Sequence, residues 1–288
     1  MAAAPEPVPA LVLGSRQEMV AALRDQIRQL GSASRSDESA GSSARPSNCP
    51  GLERLLPQGR FPAGSLVEWL SEWEAGGAGT LAWLAAQAAA GIHPAASHAA
   101  VPERGVIVVL DRHRSFYPPA AVAWGARVEQ LIVVRATRWD DELWACDQAL
   151  RCAGVAAVWG RIERLPSRWF RRLQLAAEQG RAIAHLLRPA RVRGSPSWAY
   201  AQFWVEPIPF SEGTPLPERA SVAGRRWRVE LTRCHGGSKD GPGCAPRRVE
   251  VELDLGTGAI RERIHETHVV HLVPPLASAA PVGREAGT

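Results

Sequence analysis

Residues 71–81, SEWEAGGAGTL, place Gly76, Gly77, Gly79 and Thr80 between one apolar run and a second, alanine-rich one. Glycines so placed let successive backbone N–H groups turn inward around a phosphate, and a hydroxyl at the end of the loop can ligate magnesium. A working loop of this kind reads G-x-x-x-x-G-K-[ST], with the lysine reaching the β- and γ-phosphates. No lysine stands here. The chain has one, Lys239, in CHGGSKDGPGC, where Ser238 occupies the place of the required glycine and no helical pattern follows. Gly76, Gly77, Gly79 and Thr80 therefore read as the remnant of a phosphate loop, and no catalytic residue, cofactor or metal ligand is expected.

Two acids that hydrolysis would need are also displaced. VIVVLD (106–111) ends in Asp111, followed by Arg112 and His113 rather than by a glutamate, and VAAVWG (155–160) ends in Trp159 and Gly160 where an acid would support magnesium. No G-x-S-x-G elbow and no H-E-x-x-H pair occurs. Asp140 and Asp141 open a helical pattern, where acids complement the helix dipole. The five cysteines, odd in number and scattered, argue for reduced thiols. Cys234 and Cys244 flank a glycine-rich turn beside His235, a spacing unlike the usual zinc pairs, and His265, His268 and His271 read as a solvated cluster on an extended tail.

One basic constellation remains. RIERLPSRWFRR (161–172) gathers Arg161, Arg164, Arg168, Arg171 and Arg172 around Trp169, just past the carboxyl end of a strand. It is either a solvated helix start or a contact for DNA phosphates or an acidic protein segment, helped by aromatic stacking. The net charge of +5 rests on arginine, since only one of the 34 basic residues is lysine. Genomic G+C bias also favours arginine, so the balance itself says little about partners. Of the eleven tryptophans, Trp69, Trp83, Trp144 and Trp159 fall on buried-looking faces, while Trp73, Trp139 and Trp169 lie beside loops and suit interface anchors.

The elements that must position these residues follow from periodicity. Residues 15–30 have a Ser15 N-cap, Glu18 three positions on, and Met19, Val20, Leu23, Ile27 and Leu30 on one stripe, an amphipathic helix that docks either on its own core or on another protein. A serine- and glycine-rich flexible linker (32–49) follows. Short apolar runs at 65–70, 106–111, 131–134, 155–160 and 182–187 read as strands buried on both faces of a parallel sheet. Helical segments at 78–91, 118–126, 140–154 and 167–180 separate them, the last two ending in Gly154 and Gly180, which suit left-handed caps. Residues 200–208, 226–233 and 248–254 alternate as half-exposed antiparallel strands do, with CHGGSKDGPGCAP as a hairpin loop and an irregular tail from 256. The expected division is an N-terminal segment (1–31), the linker, an α/β core (50–194), antiparallel strands (195–255) and the tail (256–288). The core should be a three-layer α/β/α sandwich with a mainly parallel sheet. No apolar run approaches the roughly 20 residues of a membrane span, and the start lacks a basic leader, so a cytoplasmic protein is expected.

The approach GLERLLPQGRFPAGSLVEWLSEWEAGGAGTL (51–81) resembles a RecA ATPase nearing its phosphate loop, which makes the expected fold RecA-like. Over roughly residues 15–255 the chain resembles the ImuA family of RecA-like accessory proteins. The likeness lies in SRQEMVAALRDQIRQL, that approach, LDRHRSFYPPAAVAWGARVEQLIVVRA, ELWACDQALRCAGVAAVWG, SRWFRRLQLAAEQG and WRVELTR. It implies a non-catalytic adaptor of SOS mutagenesis and translesion synthesis. The implied partners are an ImuB-like relative of Y-family polymerases, a DnaE-type error-prone polymerase, RecA and, indirectly or weakly, DNA, at the nucleoid during DNA damage. It also implies an ImuB contact within the C-terminal strands and tail. The long serine-rich linker and the CHGGSKDGPGC insertion depart from the family pattern. Two alternatives stay open: a RecA-like DNA-dependent ATPase or recombination regulator with an unorthodox phosphate loop, and an SOS cell-division inhibitor.

Overall fold

The protein is described by a computed structural model covering residues 44–45, 49–57, 59–72, 76–92, 105–209, 224–235 and 248–263. The expected helix at 15–30 with its stripe Met19, Val20, Leu23, Ile27 and Leu30, together with Trp73, Cys244 and the tail histidines, lies outside these residues.

In chain order the elements are β1 (Ala44–Arg45), α1 (Pro50–Leu55), β2 (Phe61–Pro62), β3 (Leu66–Ser71), α2 (Ala78–Ala89), β4 (Val106–Leu110), α3 (Pro118–Ala123), β5 (Leu131–Val134), α4 (Trp139–Leu150) and β6 (Val155–Arg161). They continue as α5 (Ser167–Gly180), β7 (Ile183–Pro189), β8 (Ala201–Pro207), β9 (Arg225–Cys234), β10 (Arg248–Leu253) and β11 (Ile260–Glu262). Among the described residues nine strands form one sheet in the order β11-β10-β9-β8-β3-β7-β6-β4-β5. From β5 to β8 every pairing is parallel, and from β8 to β11 every pairing is antiparallel. The fold is RecA-like, with a mainly parallel sheet and antiparallel strands added at its C-terminal side.

Alternation along each strand sorts side chains into two cores. Val67, Trp69, Val109 and Phe203 face α1, α2 and α3, while Leu66, Val108, Val158 and Leu186 face α4 and α5. Helix α2 is mostly alanine and is buried along nearly its whole length, because small side chains let it lie close on the sheet. Its companion α5 is instead amphipathic, burying Phe170, Leu173, Ala176 and Ala177 and turning its arginines outward.

Several sequence expectations need correction. Strand β8 is buried from Ala201 to Val205 rather than half-exposed, and it pairs in parallel with β3 as well as antiparallel with β9, so it joins the antiparallel strands to the central sheet. Residues 44–45, within the expected linker, pair with β2, and residues 260–262, within the expected tail, pair with β10. Gly180 is the last helical residue of α5, and the left-handed cap is Arg181 at φ 60°. Glycine is required at 180 for another reason: a Cβ there would overlap the Leu150 carbonyl oxygen. Helix α4 closes at Arg151 in right-handed geometry, so Gly154 does not cap it.

Candidate functional site

Strand β3 delivers the chain to the carboxyl edge of the sheet, and α2 begins there at its N-cap, Gly77. Gly77 has φ +90°, a conformation glycine adopts without cost, and its carbonyl accepts the Leu81 N–H. In a phosphate-binding loop this is where backbone amides would face an anion. Here the fully buried Trp227 of β9 lies directly on Gly77, so that a Cβ at 77 would overlap its indole. One residue pair on, the Trp159 indole N–H donates to the Gly79 carbonyl at 3.2 Å. Trp159 also packs against Trp83 and Phe116, with ring centroids 6.0 and 5.6 Å away. Aromatic side chains thus pack against two of the glycines read as a phosphate-loop remnant, while Gly77, Gly79 and the half-exposed Thr80 still line the cleft.

The acid at the end of β4 is similarly engaged. Asp111 is buried; one carboxylate oxygen accepts the backbone N–H groups of Ser115 at 2.7 Å and Phe116 at 3.0 Å, and the other accepts Arg135 Nε at 3.2 Å. The carboxylate shapes the turn that seats Phe116 against Trp159. Around these groups opens a cleft of about 660 Å³, walled by residues 77–80 and by Glu72, His113, Arg161, Glu163, Arg191 and Arg225. His113 Nε2 lies 3.7 Å from Glu163 and 2.8 Å from Arg112, which in turn donates to Glu142 at 3.0 Å. Burial raises the Glu142 carboxyl above its usual range, although Arg112 opposes this.

Behind the cleft, charged and polar groups sit inside strands that read as apolar. Glu68 on β3 accepts Arg188 Nε at 3.2 Å, Ser197 Oγ at 2.7 Å and Gln202 Nε2 at 2.9 Å, so no oxygen of this buried carboxylate is left unpaired. Burial lowers the Arg188 pKa, against the pull of Glu68. His185 on β7 is fully buried, accepts the Trp69 indole N–H at 3.2 Å, and is driven by desolvation down to about 3. It is a neutral core imidazole. Among the described residues no group of three or more His, Cys, Asp or Glu side chains comes together as a metal-ligand set. None of their helices is long and apolar enough to cross a membrane.

The basic constellation divides. Arg161 faces the cleft. Arg164 lies over the Trp139 ring at 5.9 Å, Arg171 over Trp198 at 5.0 Å and Arg172 over Trp169 at 4.8 Å. Arg172 is further committed, through two hydrogen bonds of 2.9 Å, to the fully buried Asp147, which Arg151 also reaches at 3.1 Å. Burial alone would raise the Asp147 carboxyl; the two arginines outweigh it and hold the group below its usual range. Arg172 is thus the clamp between α4 and α5, whereas Arg168 is exposed and makes no ion pair among the described residues. Trp69 and Trp83 are buried as expected; Trp144 and Trp159 are only half-buried, like Trp139 and Trp169. Asp140 and Asp141 stand in the first turn of α4, where they complement its dipole, and Glu142 joins them. Glu68, Arg188, His185 and Asp147 were missed by sequence reasoning; the available signal was a charged or polar residue inside an otherwise apolar strand or helix stripe.

This chain is similar to Protein ImuA. In two strains of Caulobacter vibrioides, NA1000 and CB 15, Protein ImuA is 32% identical over 146 residues, covering 48% of this chain and 59% of the relative. The chain therefore spans about three-fifths of the length of the curated ImuA relatives it matches. No protein-family model matches it. Among solved structures, the RadB recombinase superposes with a TM-score of 0.52 at 12% identity, covering 76% of this chain and 99% of that one. That likeness concerns the fold alone.

Proposed function

We propose that the chain is a non-catalytic adaptor of damage-induced mutagenesis. In this reading it links an ImuB-like Y-family polymerase relative and a DnaE-type error-prone polymerase to RecA or damaged DNA, in the cytoplasm and at the nucleoid. The similarity to ImuA supports the setting. The observation that carries the non-catalytic part is the loop without a lysine, in which Trp227 packs on the Cα side of Gly77 and Trp159 holds the Gly79 carbonyl. The commitment of Asp111 to backbone amides and Arg135 supports it further.

In this reading the core (50–194) is a scaffold, and the partner surfaces are the strands and tail after 195 together with the segment 1–31 on its linker. The competing ATPase reading, with an arginine in place of the missing lysine, finds candidates in Arg161, Arg191 and Arg225, which line the cleft together with Glu72 and Glu163. The test is affinity purification of the tagged chain from DNA-damaged and undamaged cells, with partners identified by mass spectrometry. Recovery of an ImuB-like protein and a DnaE-type polymerase is expected; their absence beside abundant bait would overturn the adaptor reading.

A further inference from the structure

Helix α5 presents a strip of alternating indoles and guanidiniums that its packing does not use up. Its buried stripe is Phe170, Leu173, Ala176 and Ala177, which leaves Arg168, Arg171 and Leu175 facing outward. Beside them, Trp198 is 44% exposed and carries the Arg171 guanidinium 5.0 Å above its ring. On the other flank Arg164 lies 5.9 Å over Trp139, and Arg172 lies 4.8 Å over Trp169 while it clamps Asp147. An arginine resting on an indole keeps its head extended and gives up part of its rotamer entropy before any ligand arrives.

None of Arg164, Arg168 and Arg171 makes an ion pair among the described residues, although Arg171 Nη1 donates to the neutral Gln174 Oε1 at 2.7 Å. Asp147 is fully buried beneath Arg172 and Arg151. Glu178 lies about three turns from Arg168 and is engaged by Gln174. Asp140 and Asp141 stand at the far flank, in the first turn of α4. Arg164, Arg168 and Arg171 therefore remain for a partner of opposite charge. A row of guanidiniums would suit either phosphates or carboxylates. The half-exposed indole of Trp198 within the same row favours a polyanion that also carries flat rings.

We propose that the outer face of α5, with Trp198 at its margin, binds single-stranded nucleic acid without sequence preference. Arg164, Arg168 and Arg171 contact successive phosphates, and a base stacks on Trp198. Arg172 takes no part, because Asp147 holds it. This inference deepens the part of the adaptor reading that reaches damaged DNA; the titration below uses the isolated chain, so its failure would leave the polymerase contacts, which the purification tests, untouched.

The experiment is a fluorescence-anisotropy titration of the full chain with a labelled oligothymidylate of about 20 nucleotides. Three phosphate contacts to a single strand predict a slope of log affinity against log salt near −2, so raising salt from about 50 to 200 mM should weaken binding roughly 20-fold. Replacing all three exposed arginines (R164A/R168A/R171A) should weaken binding at least about tenfold at low salt and flatten the slope. Trp198→Ala should weaken it about tenfold and leave the slope unchanged. Arg261→Ala, at the far edge of the sheet, should change neither. Thermal melts of each variant separate a lost contact from a lost fold. No salt-dependent binding by the parent chain, or parent-like binding by the folded triple variant, would overturn the proposal. Binding of a glutamate-rich peptide instead of the oligonucleotide, with the same arginine sensitivity, would overturn it in favour of an acidic protein partner.

Discussion

The start of α2 and the outer face of α5 hold two sets of residues with which this chain could meet phosphate, and they are built in opposite ways. At α2 the backbone has the shape of an anion cradle, with Gly77 left-handed at the N-cap of a 12-residue helix. The surrounding side chains turn inward: Trp227 covers Gly77, Trp159 bonds to Gly79, and Asp111 is spent on a turn. At α5 there is no cradle, yet guanidiniums stand outward on indole supports. The first region has the backbone shape without the lysine and with its neighbours packed inward, and the second has outward cations without a backbone cradle.

The contrast breaks most visibly at Trp227. Truncating a fully buried indole should cost about 3–5 kcal/mol, so Trp227→Ala should melt far below the parent chain and still gain no affinity for Mg-ATP. Gly77→Ala should also be severely destabilising, because it meets both the left-handed backbone and the indole. If the indole is the reason for the glycine, part of the Gly77→Ala penalty should vanish in a Trp227→Ala background, as a double-mutant cycle measures. Equal penalties in both backgrounds would assign the glycine to its backbone angle alone.

A smaller effect belongs to the core beside the cleft. His185 is neutral when folded, with its pKa lowered to about 3 by burial, while the unfolded chain protonates near the ordinary histidine value. The unfolded state therefore binds the extra proton between about 6.5 and 3, and its contribution to stability is complete above that window and falls as pH drops through it. Urea denaturation at pH 7 and pH 5 should differ by roughly 2 kcal/mol from this group, and His185→Leu should remove that part of the difference.

The smallest effects sort the arginines of α5. Arg172→Ala leaves the buried Asp147 with Arg151 as its remaining arginine and should cost about 1–2 kcal/mol. Arg168→Ala should stay within about 0.5 kcal/mol, as exposed unpaired positions do. Chemical denaturation of both variants checks the pair; equal costs would show that the clamp between α4 and α5 does not depend on Arg172.

The parallel half of the fold was legible because strands such as VIVVL and LIVV are continuous apolar runs, and because α5 has a clean amphipathic period; LIVV nevertheless forms the sheet edge and buries only Ile132, so the expected burial on both faces does not hold there. Strand β8 was misread because YAQFWVEPI mixes polar with apolar residues. Gln202 looks like a solvent-facing position, yet it is buried as a partner of the Glu68 carboxylate. The loss of the lysine was visible in sequence, but the two tryptophans covering the glycines were not, since Trp227 comes from a strand about 150 residues away. Likewise the five arginines look like one cluster along the chain. Only folding shows that Arg161 faces the cleft, Arg172 serves Asp147, and the remaining three stay outward.

The most direct test of a closed phosphate loop is turnover: phosphate release by the purified chain with Mg-ATP, with and without single-stranded DNA, alongside its melting temperature with and without the nucleotide. The account predicts release no faster than the blank and no shift in melting. DNA-stimulated release that disappears in Thr80→Ala would contradict it and restore the cleft as a nucleotide site.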